Sequence, residues 1–183
     1  MLNIELKARC EDFGRLREAC RSLGAEDQEP ERQIDTCFKV AHGRLKLRES
    51  LRSGAELIYY ARPDVAWARE SHYEICPVED AEGLKAVLRK ALGMQAVVTK
   101  RREIFVIGNV RIHLDKVQGL GSFVELEGIV ENAAELAVVA EEVRALQQAL
   151  AIDDRSLVKE SYADLVGRAA VAGGSDPGGA ARA

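Results

Sequence analysis

The 183-residue sequence has few cysteines, prolines and aromatic residues, and it contains no long apolar run. Its 4 cysteines are widely spaced, with no CxxC pair and no neighbouring histidine, so zinc-ribbon and thioredoxin-type motifs are excluded and reduced, mostly buried thiols are expected. No apolar run approaches the roughly 20 residues of a membrane helix, and the first residues lack the apolar core of a signal peptide. We therefore expect a cytoplasmic protein with no membrane partner.

The sequence also lacks an excess of positive charge. It has 26 Lys and Arg residues against 30 Asp and Glu residues, which gives a formal net charge of −4. That balance argues against bulk attraction to nucleic acid, so no nucleic-acid partner is expected and any basic function must be local. No GxxxxGK[ST], GxGxxG or HExxH motif occurs, which excludes P-loop, dinucleotide-binding and zinc-protease sites of those types.

Hydrophobic periodicity predicts an α+β domain. Apolar residues recur at helical spacing in four segments, 12–23, 81–92, 132–150 and 156–166. Alternating segments predict eight strands, at 2–9, 33–40, 44–50, 55–62, 70–78, 96–107, 110–117 and 122–131. Because the connections are hairpin-length, we expect antiparallel pairing in a strongly curved or closed sheet. The Ala- and Gly-rich segment 168–183 has too little apolar volume to join a core and is predicted to be a disordered tail, leaving one domain over 1–167.

Charged residues fall two apart on strand after strand. In the first strand Glu5 and Lys7 share one face, and Lys46 and Arg48 repeat the pattern. One interpretation is the solvated face of an antiparallel sheet, where cross-strand pairs contribute about 0.2–1 kcal/mol each. The other is a phosphate and metal site, because the planar fork of arginine suits phosphate oxygens and because carboxylates recur beside these basic residues.

An ordered series of motifs resembles the CYTH superfamily of triphosphate tunnel metalloenzymes. NIELKAR is similar to the N-terminal ExExK signature of that family, and FKVAHGRLKLRE, LIYYARPD, SHYEI, VTKRREIFVIGNVRIHLDKVQGLGSFVELE and SYADLV follow in order. The resemblance covers about residues 1–166. It implies an eight-stranded antiparallel β-barrel with helices packed outside and a hydrophilic tunnel that binds a small-molecule triphosphate.

The same resemblance assigns roles to individual residues. It implies that the triphosphate is bound by basic tunnel residues: Lys7, Arg9, Lys46, Arg48, Arg62, Lys100, Arg102 and Arg111. Among these, Lys7, Arg48 and Arg102 are the expected catalytic residues. It also implies that Mg²⁺ or Mn²⁺ is held by carboxylates: Glu5, Glu125 and Glu127, with Asp115 as a further candidate.

The sequence departs from the family signature at one position, where Asn3 replaces the first glutamate. Asparagine can offer a neutral carbonyl oxygen to a metal but no negative charge, so the site loses one unit of attraction for cations. The first functional hypothesis is a class IV adenylyl cyclase-like enzyme, which converts ATP to cyclic AMP and pyrophosphate. The alternatives are a thiamine or inorganic triphosphatase and a non-catalytic triphosphate or polyphosphate binder. The sequence leaves base selectivity, metal preference and oligomeric state open, and a homodimer is one alternative.

Overall fold

The computed structural model describes residues 1–173, which contain eight β-strands and four α-helices. The strands are β1 (Leu2–Arg9), β2 (Glu26–Phe38), β3 (Arg44–Ser50), β4 (Gly54–Ala61), β5 (Arg69–Val78), β6 (Met94–Ile107), β7 (Val110–Val117) and β8 (Gly121–Val130). The helices are α1 (Phe13–Ser22), α2 (Ala81–Leu92), α3 (Leu136–Ala149) and α4 (Tyr162–Gly173). No helix in this part of the chain is both long enough and apolar enough to span a bilayer.

The eight strands form a closed antiparallel barrel in the order β1-β5-β4-β3-β2-β6-β7-β8. Closure is made by β1, which pairs with β5 on one side and with β8 on the other. Because side chains alternate across each strand, one set of positions lines the interior while the other faces outward. The predicted α+β barrel with helices outside is confirmed.

The main apolar core lies outside the barrel, under α1 and α3. The outward residues Leu6, Ile112 and Leu126 are each at most 1% exposed and pack in one cluster with residues of both helices. The close approach of α3 requires glycine at position 128, where an added Cβ would lie 2.6 Å from Val139 Cγ1. Because the apolar core is outside, the interior positions are free to carry polar side chains.

The largest differences from the predicted boundaries are in strand β2 and helix α4. Strand β2 begins at Glu26 rather than at 33, and it pairs with β6 from Glu26 opposite Val106 through an irregularity between Gln28 and Glu31. This charged stretch has no apolar alternation, so backbone pairing alone defines it as a strand.

Helix α4 begins at Tyr162 rather than at 156. A 3₁₀ turn occupies Asp154–Ser156, and the next residues are extended, with the Val158 amide donating to the Lys7 carbonyl at 2.8 Å. The helix continues to Gly173, past the predicted domain boundary at 167, so positions 168–173 of the predicted tail are helical. The remaining positions of that segment, 174–183, lie outside the described residues.

Candidate functional site

The barrel interior is a tunnel with a cavity of about 640 Å³, within the range of small-molecule binding sites. All eight strands contribute lining residues, and most of those near the middle of the tunnel are charged. Tyr162, at the start of α4, also lines the tunnel and is 7% exposed. The charged interior favours the phosphate-and-metal interpretation over a solvated outer face.

The first cluster of charges surrounds Asp35 on β2. Its carboxylate accepts two hydrogen bonds from Arg48, at 2.8 and 2.9 Å, and one from Lys46 Nζ at 3.2 Å. Burial alone would raise the pKa of Asp35, but attraction to Arg48, Lys46 and Lys100 holds that pKa well below its usual value. Asp35 is therefore ionised and holds two predicted phosphate-binding residues in place.

The second cluster surrounds Asp115 on β7, which is fully buried. Its carboxylate accepts hydrogen bonds from Arg102, with Nε at 2.7 Å, and from the Tyr162 hydroxyl at 3.0 Å, while Lys100 Nζ lies 3.5 Å away. Arg102 also donates to Glu125. Because both Asp115 oxygens already accept hydrogen bonds, its geometry suits a residue that positions Arg102 rather than a metal ligand.

The third cluster surrounds Glu5 on β1. Its Oε1 atom lies 3.0 Å from Arg62 Nε and 2.9 Å from Arg69 Nη2, and both arginine side chains are almost fully buried. No hydrogen bond is made to Glu5 Oε2 by the described residues. Glu5 thus has one oxygen committed to arginine and one available to a ligand.

Two lysines lie against Tyr162 at the α4 end of the tunnel. Lys7 Nζ is 3.9 Å from the ring centroid and 3.3 Å from Glu125 Oε1, and Lys100 Nζ is 5.2 Å from the same centroid. Burial lowers the pKa of Lys7, against the attraction of Glu125. Burial and the neighbouring Arg102 lower the pKa of Lys100 to about 8. These two ammonium groups carry little water and can bind phosphate oxygens directly.

Glu127 and Asn3 have side-chain oxygens that bind no Lys or Arg of the described chain. The Asn3 amide donates to Glu127 Oε1, and His113 Nε2 lies 3.9 Å from Oε2. Burial and the nearby Arg102 hold the pKa of His113 well below its usual value, so the imidazole is neutral. Asn3 Oδ1 is buried and has no hydrogen-bond partner.

These oxygens fit Mg²⁺ or Mn²⁺ in chemical type. Both ions take carboxylate and amide oxygens and share their other positions with water and phosphate. Glu127, Asn3 Oδ1 and Glu5 Oε2 are the atoms that would hold such an ion. Within residues 1–173, however, no group of three or more His, Cys, Asp or Glu side chains is arranged to hold a metal on its own. A site here would therefore be completed by the phosphates.

The tunnel brings together most of the predicted site residues. Its lining contains the following: Glu5, Lys7, Lys46, Arg48, Arg62, Lys100, Arg102, Arg111, Glu125 and Glu127. The prediction places Arg9 in the tunnel, but Arg9 is exposed, lies 5.0 Å from the Phe123 ring centroid and donates to the Leu120 carbonyl. It lies at the end of β1, where Phe123 and Tyr162 already fill the space inside.

Three further residues of the site, Asp35, Arg69 and Gln33, are not among the predicted ones. Asp35 and Gln33 lie on the face of β2 opposite Arg48 and Lys100, so extending the two-residue alternation into the second predicted strand would have found both. Arg69 is the first residue of β5, one position before the predicted strand.

Comparisons with known proteins agree with the barrel fold. A family model described as CYTH domain matches residues 1–162. The chain is 28% identical over 177 residues to "Putative adenylate cyclase MJ0240" of Methanocaldococcus jannaschii, covering 91% of this chain and 99% of that protein. The PH1012 protein of Pyrococcus horikoshii has a similar structure, with a TM-score of 0.79 and 25% identity over 89% of this chain and 98% of the other.

A second solved structure is more distant. It is the Hippeastrum protein HpAC1, described as a "putative adenylyl cyclase" with a dominant triphosphatase activity, and it superposes with a TM-score of 0.62 at 12% identity. The alignment covers 92% of this chain and 96% of that one, and at this identity the similarity shows the fold alone.

Proposed function

The chain belongs to the CYTH domain family, and on that premise we propose that it is a metal-dependent enzyme acting on a triphosphate, with conversion of ATP to cyclic AMP and pyrophosphate as the leading candidate reaction. The observation that supports this most directly is the convergence of Lys7, Lys100, Arg48 and Arg102 on one tunnel, with oxygens of Glu127 and Asn3 available in the same cavity. Phosphate oxygens and a divalent cation can be bound together in such a site.

The basic residues act by position and charge. Arg48 and Arg102 present planar forks whose orientation is set by Asp35 and Asp115, so little reorganisation is needed when phosphate oxygens bind beside them. In cyclisation the ribose 3′-hydroxyl gives its proton to water, its oxygen bonds to the α-phosphorus, and the bond between that phosphorus and the pyrophosphate oxygen breaks. Lys7 and Lys100, with the two arginines, neutralise the charge that develops on the departing pyrophosphate. A bound Mg²⁺ or Mn²⁺ would supply Lewis-acid polarisation of the phosphate.

Hydrolysis is the competing reaction in the same tunnel. In that case water attacks the terminal phosphorus, and the same cations stabilise the same kind of charge. Incubating the protein with labelled ATP and Mn²⁺, and separating cyclic AMP plus pyrophosphate from ADP plus phosphate, distinguishes the two. Binding of ATP without either product pair would favour the non-catalytic binder.

A matched pair of variants tests the tunnel assignment. Arg102→Lys keeps the charge but loses the bidentate fork, and we expect turnover to fall about 100-fold. Arg101→Lys changes the neighbouring residue, which is exposed on the outer face of the barrel, and should leave turnover unchanged. Equal effects of the two substitutions would contradict the proposed site.

The metal assignment has its own test, independent of activity. Paramagnetic Mn²⁺ bound in the presence of tripolyphosphate can be counted by electron paramagnetic resonance. Glu127→Gln removes the carboxylate that no Lys or Arg of the described chain neutralises, so we expect bound Mn²⁺ to fall at least tenfold. Glu103→Gln, on the outer face, serves as the control. Undiminished Mn²⁺ binding in Glu127→Gln would refute the assignment.

A further inference from the structure

The chemical character of the tunnel changes along its length. On β6 the inward positions run from Lys100 and Arg102 to Ile104 and Val106. Arg111, opposite Val106 in the β6–β7 register, and Arg52, which pairs with Glu29, also line this end, but most basic side chains of the tunnel lie in the half near α4. We call the other half the mouth half and define it by Glu56, Ile58, Ile75, Ile104 and Val106. Gln33, which pairs with Lys100 in the β2–β6 register, lies at the border between the two halves.

Gln33, at the border of the mouth half, has a buried oxygen without a hydrogen-bond partner. The residue is 3% exposed, and its Nε2 donates to Glu31, whose other oxygen accepts from Ser50 Oγ at 2.6 Å. This network leaves Gln33 Oε1 with no hydrogen bond. Because buried polar atoms are almost always hydrogen-bonded, the free acceptor indicates a donor that comes from a ligand.

Glu56, two strands away from Gln33 on β4, adds a negative charge to the wall of the same tunnel. Its side chain is half-buried in the tunnel wall, and no Lys, Arg or His nitrogen of the described chain lies within 4.0 Å of its carboxylate. Arg48, its partner in the β3–β4 register, is instead engaged by Asp35. An uncompensated carboxylate repels a bare polyanion and attracts a donor or a positive charge.

We propose that Gln33 and Glu56 are specificity-determining residues, which select a triphosphate carrying an organic group with N–H donors or positive charge over inorganic tripolyphosphate. The isoleucine and valine side chains of the mouth half would contact the apolar faces of that group, while the phosphates occupy the basic half. This inference rests on the proposed function, because it assumes that the basic half holds the phosphates.

Binding is measured by calorimetry in EDTA, so that metal-dependent turnover does not interfere. The ligands are ATP, thiamine triphosphate and tripolyphosphate, which respectively carry an amine-bearing base, a cationic ring and no organic group. Wild-type protein should bind at least one organic triphosphate more tightly than tripolyphosphate. Gln33→Met removes the acceptor at similar volume and should weaken that organic ligand about tenfold, leaving tripolyphosphate within about twofold.

Glu56→Gln provides a second variant at a less buried position, where folding is not at risk. It should raise the affinity for tripolyphosphate about threefold and leave the affinity for the organic ligand unchanged or lower, so the ratio of the two affinities decreases. Glu74→Gln, which removes an exposed carboxylate on the outer face of β5, is the control and should alter neither affinity. Melting curves of all three variants report whether each is folded.

The outcomes separate this inference from the proposed function. Tight binding of all three ligands without an organic preference, or an unchanged preference in both tunnel variants, would overturn the specificity assignment while the triphosphate tunnel stands. Absence of binding by every ligand to the folded wild-type protein would overturn both.

Discussion

Replacing Asp35 by asparagine should destabilise the protein while strengthening its affinity for polyphosphate. In the wild-type protein Asp35 compensates Arg48 and Lys46, and no other carboxylate of the described chain lies within 4.0 Å of either cation. Asparagine has nearly the same shape and keeps one acceptor, so the substitution removes charge rather than volume. The two cations are then left without an anionic partner until a phosphate arrives.

The magnitude follows from the burial of the group. Breaking a buried ion pair by removing one partner costs about 3–5 kcal/mol. Here the Asp35 side chain is 5% exposed, but those of Arg48 and Lys46 are 15% and 17% exposed, so water compensates part of the loss. We therefore expect about 3 kcal/mol in the free energy of unfolding, at the low end of that range. For a chain of this size that is a fall of about 6–12 °C in melting temperature.

The assay combines denaturant or thermal unfolding with calorimetric titration of tripolyphosphate. Glu103→Gln is the matched control, because Glu103 forms a bidentate pair with Arg17 on the outer surface. That pair is partly solvated, so its loss should cost at most about 1 kcal/mol and leave polyphosphate affinity unchanged. Two results would refute the reasoning: unaltered stability in Asp35→Asn, or a loss of polyphosphate affinity in the folded variant.

Further predictions concern pH and packing. The pKa of Asp35 is lower in the folded protein than in an unfolded chain. Its contribution to stability is therefore present at pH values above the unfolded-state pKa and is lost as pH falls through the folded-state pKa. The stability of Asp35→Asn should accordingly fall less steeply with acid than that of the wild type. With its pKa at about 8, Lys100 is about nine-tenths protonated at pH 7 and about one-tenth protonated at pH 9. The affinity for tripolyphosphate, measured by calorimetry, should therefore fall about tenfold over that interval. The fall should be smaller in Lys100→Arg, because arginine stays charged. Gly128→Ala should lower the free energy of unfolding by about 1–3 kcal/mol, because the added Cβ meets Val139. Gly167→Ala, at an open position of α4, should instead raise it by about 0.5–1 kcal/mol. Equal melting temperatures for the two variants would contradict the close packing of α3 at position 128.

The sequence predicts the barrel well because its strands have two chemically distinct faces. In β1 a polar or charged residue alternates with an apolar one from Asn3 to Ala8, and both the strand and its inward face follow from that pattern. Strands β3 and β7 match the predicted bounds for the same reason. Where the alternation fails, as in the acidic start of β2, only the pairing with β6 defines the strand, and local sequence carries no signal for it.

The partners of the site residues could be predicted only in part. Alternation places Arg48 and Arg102 inside a barrel, but it does not say that Asp35 and Asp115 hold them. Those pairings depend on strand register and barrel closure, which bring together residues that no local pattern relates. Arg9 shows the opposite failure, since it continues the alternation of β1 yet lies beyond the point where Phe123 and Tyr162 close the interior.

Closure of the barrel through β1 also has a consequence for folding. Leu2 pairs with Val130, so the first of the eight barrel strands to be synthesised cannot complete its pairing until the eighth has been made. Contacts of such long sequence separation require a large loop to close before they contribute any stability, which slows folding. Until β8 arrives, β1 has a free edge that can pair with other chains, and the finished barrel leaves no such edge. The newly made chain is therefore most prone to aggregate during synthesis, before its last strand is available.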